Sequence, residues 1–251
     1  MFTTAEELRL ARESFWLYKA RERLVGYGIQ PREIPPGAAR EEFLAQFPHL
    51  RDTRNLVYLS RIHPKKGCDL LINAFAKVAD TNPALHLVLA GPADVHWLTE
   101  LKALVHRHGL ASRITFTGML TGSLKWGAYD AAEVFVLPSH QENFGIVVAE
   151  ALASRLPVLI TYNVNIWKEI DQAKAGIVRA DTQQGTDELL ASWLAMPSTE
   201  REAMRQQALV CFEQHFEVRR VTEYLITALQ DVVSGKALPH TSHETLDCSK
   251  P

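Results

Sequence analysis

Cysteine is scarce, with three residues in 251, at positions 68, 211 and 248. Odd in number and far apart, they supply neither a disulfide framework nor a metal-ligand spacing, and they point to a reducing, cytoplasmic compartment. Charge of one sign is lacking too. The 27 Lys plus Arg against 29 Asp plus Glu leave a formal charge of -2, which argues against a nucleic acid as the main partner. No stretch approaches the roughly 18 apolar residues of a membrane span, so no transmembrane segment is expected. The N-terminal residues are broken by Glu6, Glu7, Arg9, Arg12 and Glu13, which excludes the apolar core of a signal peptide. Internal repeats are absent. What is present, 47% apolar and 22% charged residues, is ordinary globular composition and excludes disorder as the dominant state.

Thr3-Thr4-Ala5-Glu6-Glu7 contains a Thr-x-x-Glu capping box, and Leu8, Ala11 and Phe15 follow at helical spacing, so a helix of about four turns is expected to open the chain. Gly26, Gly28, Pro31, Pro35, Pro36 and Gly37 then read as a linker and a domain boundary. From Asn55 onward short apolar runs alternate with amphipathic ones. Strands are expected at Leu56–Ser60, Leu85–Ala90, Ile114–Thr117, Val134–Leu137, Val158–Thr161 and Gly176–Val178. Helices are expected between them at Leu70–Val78, Val95–His108, Leu124–Ala131, Gly145–Ser154 and Asn165–Asp171. Strands with little polar alternation, each followed by a helix, predict an α/β fold, a doubly wound, Rossmann-like parallel sheet. Gln184–Ala195, Ser198–Phe212 and Val218–Val233 read as three closing helices, and 234–251 as a flexible tail.

In such a sheet ligands bind beyond the carboxyl ends of the strands. After the first strand, Arg61, Lys65, Lys66 and Gly67 form either an anion site before a helix or a solvated basic loop. After the second, Gly91 permits close approach of backbone or ligand. After the third, Gly118, Met119 and Leu120 offer either a plain turn or an apolar surface for a flat base. The fourth place is richest: Glu142, Asn143, Phe144, Gly145 and Ile146 lead into a helix carrying Glu150. The helix rise puts Glu150 roughly 7 to 8 Å along the axis, with free N–H groups at the helix start between the two carboxylates. That spacing fits a ligand with phosphates in the middle and hydroxyl-rich rings at both ends, as in a nucleotide sugar. Glu150 lies on a nearly all-apolar helix and needs partners, which ligand hydroxyls can supply. His96, His106 and His108 do not share a helix face and read as surface residues. Asn165 and Trp167 either line the same cleft or pack at a helix start.

Taken together, Arg61-x4-Lys66-Gly67, Ala90-Gly91-Pro92, Phe116-x-Gly118 and the Glu142-x7-Glu150 pattern containing Asn143-Phe144-Gly145 resemble the C-terminal, donor-binding domain of a GT-B fold, family 4 (group 1) glycosyltransferase, over Asn55 to about Val233. The resemblance implies transfer of a hexose from a nucleotide diphosphate sugar (UDP-, GDP- or ADP-linked) with retention at the anomeric carbon, no metal and no further cofactor. By this likeness Arg61 and Lys66 hold the diphosphate, and Glu142 contacts the donor sugar. Glu150 takes the ribose, backbone at Phe144 to Ile146 meets phosphate, and Met119 and Leu120 flank the base. Arg61, Lys66 and Glu142 become the catalytic candidates.

The same likeness divides the chain into 1–37, the last elements of a preceding acceptor domain plus linker, 38–233, the nucleotide-sugar domain, and a tail. About 150 residues of acceptor domain are then expected to be missing. The alternative is a non-catalytic nucleotide-sugar-binding or regulatory subunit docking on a separate acceptor-domain chain. A nicotinamide oxidoreductase is disfavoured, because no G-x-G-x-x-G follows the first strand. A sugar-nucleotide epimerase is the nearest enzymatic competitor. Arg155 stands where the resembled pattern has glycine, which marks that turn as a departure.

Overall fold

Leu56, Val57, Tyr58 and Leu59 offer no polar face, so the strand they form has to be covered on both sides. The computed structural model of the chain, which describes residues 1–35 and 37–234, shows how this is done. Six strands, β1 (Arg54–Leu59), β2 (Leu85–Ala90), β3 (Ile114–Gly118), β4 (Ala132–Leu137), β5 (Val158–Thr161) and β6 (Gly176–Arg179), form one sheet in the order β3-β2-β1-β4-β5-β6. Every pairing is parallel. Leu56 lies opposite Leu87 on one side and Val134 on the other, so the apolar runs meet at the centre of the sheet.

The helices are α1 (Ala5–Ser14), α2 (Arg40–Gln46), α3 (Cys68–Ala79), α4 (Val95–Arg107), α5 (Gly122–Asp130), α6 (Ile146–Ala153), α7 (Trp167–Gln172), α8 (Gln183–Ala195), α9 (Ser198–His215) and α10 (Val218–Val233). α3 packs against α4 and α8, while α9 packs against α6 and α7. The α/β doubly wound architecture expected from the alternation of apolar and amphipathic runs is the one observed. None of the described helices is long and apolar enough to cross a membrane. Cys68 and Cys211 are buried free thiols, and burial pushes the Cys68 thiol up to about 12. Cys248, Pro36 and the tail from residue 235 onward lie outside the described residues.

Three expectations need correction. The opening helix spans ten residues instead of four turns, because the chain turns at Phe15–Leu17, where Leu17 takes φ 62. The expected Thr-x-x-Glu cap forms at Thr4. Thr4 Oγ1 accepts the Glu7 N–H at 2.9 Å, whereas the Glu7 carboxylate reaches back to Thr3. Second, α2 falls where no element was expected. Its Phe43 and Leu44 are buried, and it docks on α5 at Gly127, where a Cβ would stand 2.5 Å from the Ala39 carbonyl oxygen.

Third, the proline-rich stretch is not a free linker. The Arg32 side chain is almost fully buried, pairs with both carboxylate oxygens of Asp130 at 2.7 and 3.0 Å, and reaches Ser154 at 3.2 Å. Upstream of it, Phe2 bridges to Leu24, Ile29 bridges to Glu217 at the start of α10, and Glu6 meets Lys168 at 2.9 Å. Arg155 does adopt a left-handed conformation, φ 57, which a non-glycine residue enters only at a cost of the order of 1 kcal/mol.

Candidate functional site

The strand order reverses at β1 and β4. The connection after β1 leads towards β2 and that after β4 towards β5, so a crevice opens between their loops. The two loops are stitched together where they part. The His140 N–H donates to the Lys65 carbonyl at 2.9 Å, and the buried Ser139 hydroxyl lies 3.0 Å from the same oxygen. Gly67 makes this approach possible: at φ 67 its missing Cβ would stand 2.1 Å from the Pro138 carbonyl oxygen. Gly67 is also the N-cap of α3, so the turn that admits the β4 loop starts the helix beneath Lys66.

Lys66 is buried at this junction. Its Nζ donates to the Gln141 carbonyl at 2.9 Å and forms an ion pair with Glu142, leaving one of three N–H donors uncommitted. Glu142 is held in turn by the β5–α7 loop. Its N–H donates to the Asn163 carbonyl at 2.9 Å, and its own carbonyl accepts from the Asn165 N–H at 3.0 Å. Arg61, just beyond β1, is exposed, and its guanidinium has no protein partner among the described residues. The Tyr58 hydroxyl donates to the Arg61 carbonyl at 2.8 Å and pins its backbone.

These groups border a cavity of about 630 Å³. Ten of the eleven candidate residues line it: Arg61 and Lys66 from the first loop, Gly91 from the second, Met119 and Leu120 from the third, and Glu142, Asn143, Phe144, Gly145 and Ile146 from the fourth. Met119 is largely exposed and Leu120 buried, so the third loop presents an apolar surface. Gly91 is explained by backbone crowding, since a Cβ there would stand 1.8 Å from the Ser60 carbonyl oxygen. Gly145, at φ 81, is the N-cap of α6. The first backbone bonds of that turn start at Val148 and Ala149, so the N–H groups of Ile146 and Val147, two residues of the cavity wall, have no protein acceptor among the described residues. A helix start with free N–H groups is a place for an anion.

Thr3 and Tyr27 also line the cavity, and the motifs missed both. Tyr27 packs on Phe144 with ring centroids 5.1 Å apart, and Phe144 meets Phe216 edge-on at 5.7 Å. Nothing local in the sequence announces a contact between residues so distant in the chain.

Glu150 stands apart. It sits one turn beyond Val147 on α6 but does not line the cavity wall. The expectation that its carboxylate waits for ligand hydroxyls is incomplete, because protein groups already hold it. Lys125 Nζ lies 2.7 Å from Oε1, and the Tyr129 hydroxyl 3.2 Å from Oε2. Burial, reinforced by the neighbouring Glu150 charge, pushes the Tyr129 hydroxyl well above its ordinary pKa. Lys125 and Tyr129, four residues apart on α5, share a helix face, a spacing that was available to find them.

Trp167 packs edge-on against Tyr162, and neither it nor Asn165 lines the cavity. His140 Nδ1 lies 3.1 Å from Asp181, and neither residue lines the cavity. His96, His106 and His108 are all exposed.

Comparison with known proteins adds the family. Residues 39–209, more than half the chain, match the model of the glycosyl transferases group 1 family. Mannosylfructose-phosphate synthase of Agrobacterium fabrum is 30% identical over 169 residues, covering 59% of this chain and 37% of its own length. A D-inositol 3-phosphate glycosyltransferase of Segniliparus rotundus is 28% identical over 186 residues, covering 73% and 41%. Among solved structures, sucrose-phosphate synthase from Thermosynechococcus elongatus superposes with a TM-score of 0.78 at 22% identity, covering 93% of this chain and 58% of that one. Anabaena HepE, solved in complex with UDP and glucose, superposes with a TM-score of 0.71 at 18% identity, covering 83% and 56%. The chain thus spans less than half the length of these curated relatives.

Proposed function

The chain belongs to the group 1 glycosyl transferases, and from that premise we propose that its cavity is the donor site of a family 4, GT-B type hexosyltransferase that moves a sugar from a nucleotide diphosphate sugar with retention and without a metal. The supporting observation is the arrangement of charge around the start of α6. Free N–H groups of Ile146 and Val147 lie between two carboxylates, with Lys66 and Arg61 on the facing loop. A diphosphate at the helix start would meet the free Arg61 guanidinium and the spare N–H of Lys66. The donor sugar would lie against Glu142, the ribose towards Glu150, and the base on Met119 and Leu120. Fixed cations beside the departing nucleotide stabilise charge that grows as the glycosidic bond breaks, and they need no reorganisation to do so.

The acceptor side of the reaction is proposed to come from a second domain, joined to this chain or carried by another. Calorimetric titration of the chain with UDP, GDP and ADP tests the donor site. One nucleotide is expected to bind, with Lys66→Ala weakening it about tenfold or more, as loss of a charge-assisted hydrogen bond does. A folded chain that binds none of the three at millimolar concentration would sink the proposal.

A further inference from the structure

Each carboxylate of the site carries its own lysine. Glu142, at one end of the crevice, pairs with Lys66; Glu150, one turn beyond the cavity wall on α6, pairs with Lys125 on α5. The second pair has no place in the motifs, and its surroundings are more restrictive than a surface ion pair requires. Lys125 Nζ lies 2.7 Å from Glu150 Oε1 and 4.7 Å from the Trp126 ring centroid, so the ammonium is held by a carboxylate and an aromatic face together. The Tyr129 hydroxyl, one turn further along α5, lies 3.2 Å both from Glu150 Oε2 and from the carbonyl oxygen of Val147, a residue of the cavity wall. Oε1 therefore has the Lys125 ammonium as donor, Oε2 shares the single Tyr129 hydroxyl proton with the Val147 carbonyl, and both oxygens retain lone-pair capacity for a ligand donor.

We propose that Lys125, assisted by Tyr129, is a positioning residue that holds the Glu150 carboxylate oriented as an acceptor for a vicinal diol, and so makes the site select a ribose over a deoxyribose. The inference rests on the reading of the cavity as a nucleotide-sugar site. Its physical basis is the position of Glu150 on a helix whose other faces are almost wholly apolar, close to a diphosphate that would add negative charge. Without a cation beside it, such a carboxylate turns towards water, and it then presents one acceptor oxygen or none to a vicinal diol. The Lys125 ammonium opposes this turn, and the Tyr129 hydroxyl beside Oε2 helps to set the plane of the carboxylate. An ion pair that merely stabilised the fold would weaken all ligands alike when broken. A positioning pair changes the ratio between ligands that differ by one hydroxyl.

The experiment is a calorimetric titration of the full chain with UDP, GDP and ADP and with their 2′-deoxy counterparts. It is run on the native chain and on Lys125→Met, Tyr129→Phe and Lys125→Arg. Whichever diphosphate binds is expected to be preferred over its 2′-deoxy form about tenfold, the worth of one hydrogen bond to a charged group. Lys125→Met is expected to reduce that preference to within about twofold while leaving the affinity for the deoxy form intact, Tyr129→Phe to reduce it in part, and Lys125→Arg to keep it. A Lys125→Met chain that keeps the preference, or that loses both forms equally, overturns the inference and leaves the donor site standing. Failure of the native chain to bind any diphosphate overturns the donor site and this inference with it.

Discussion

At the scale of single residues, His86 shows how a side chain with no part in the site still governs the chain's response to acid. It is buried on β2, with its Nε2 2.9 Å from Thr115 Oγ1, and burial, with His49 and Arg113 nearby, pushes its pKa down to about 4. The unfolded histidine titrates near 6.5. Below that pH the unfolded chain binds a proton that the folded chain refuses, so the stability is complete above pH 6.5 and is lost as pH falls towards 4. Between pH 7.5 and pH 5 the native chain should lose about 1 to 2 kcal/mol more stability than His86→Gln. Urea unfolding of both at the two pH values checks this; equal losses would mean that another group titrates. Lys66 and Glu142 are a different case, since their types and positions were readable from the motif. Their mutual ion pair was not, because sequence places one after β1 and the other after β4 with no statement of distance.

Among the elements, α6 was legible almost in full. Its apolar run predicts burial, and Gly145 predicts its start, one residue from where it lies. The stretch between residues 31 and 50 was not. Proline and glycine content identified a linker, but one buried guanidinium turns that linker into a clamp on α5 and α6. Periodicity is silent about α2 as well, since seven residues make two turns, and the helix is held by tertiary docking on Gly127 more than by its own pattern. Breaking the clamp should be costly, because Arg32→Ala leaves the Asp130 carboxylate buried without its partner. A loss of about 3 to 5 kcal/mol in urea unfolding is expected, and much less for Arg32→Met combined with Asp130→Leu. A double variant as unstable as the single one would show that packing, not the stranded charge, carries the cost.

For the molecule as a whole, the proposed donor site joins loops from four strands, so a ligand that bridges them should stabilise the fold entire. At a nucleotide concentration about ten times its Kd, the native chain should gain about 1.4 kcal/mol, a rise in Tm of roughly 3 to 6 °C for a chain of this size. Differential scanning fluorimetry measures it, and the same rise is expected in EDTA if binding needs no metal. A rise abolished by the chelator would contradict that part of the proposal. The amino-acid sequence by itself determined the layer architecture, because strands without a polar face must be covered on both sides, and it marked the loops where chemistry-bearing side chains gather. Only the tertiary structure decided which of those side chains share a cavity and which carboxylate already has a partner. It alone placed Thr3, Tyr27 and Arg32 against elements far along the chain. Local propensity and periodicity report on neighbours within a few residues, whereas an ion pair between α5 and α6, or a ring contact across 117 positions of sequence, exists only once the sheet has ordered the elements that carry it.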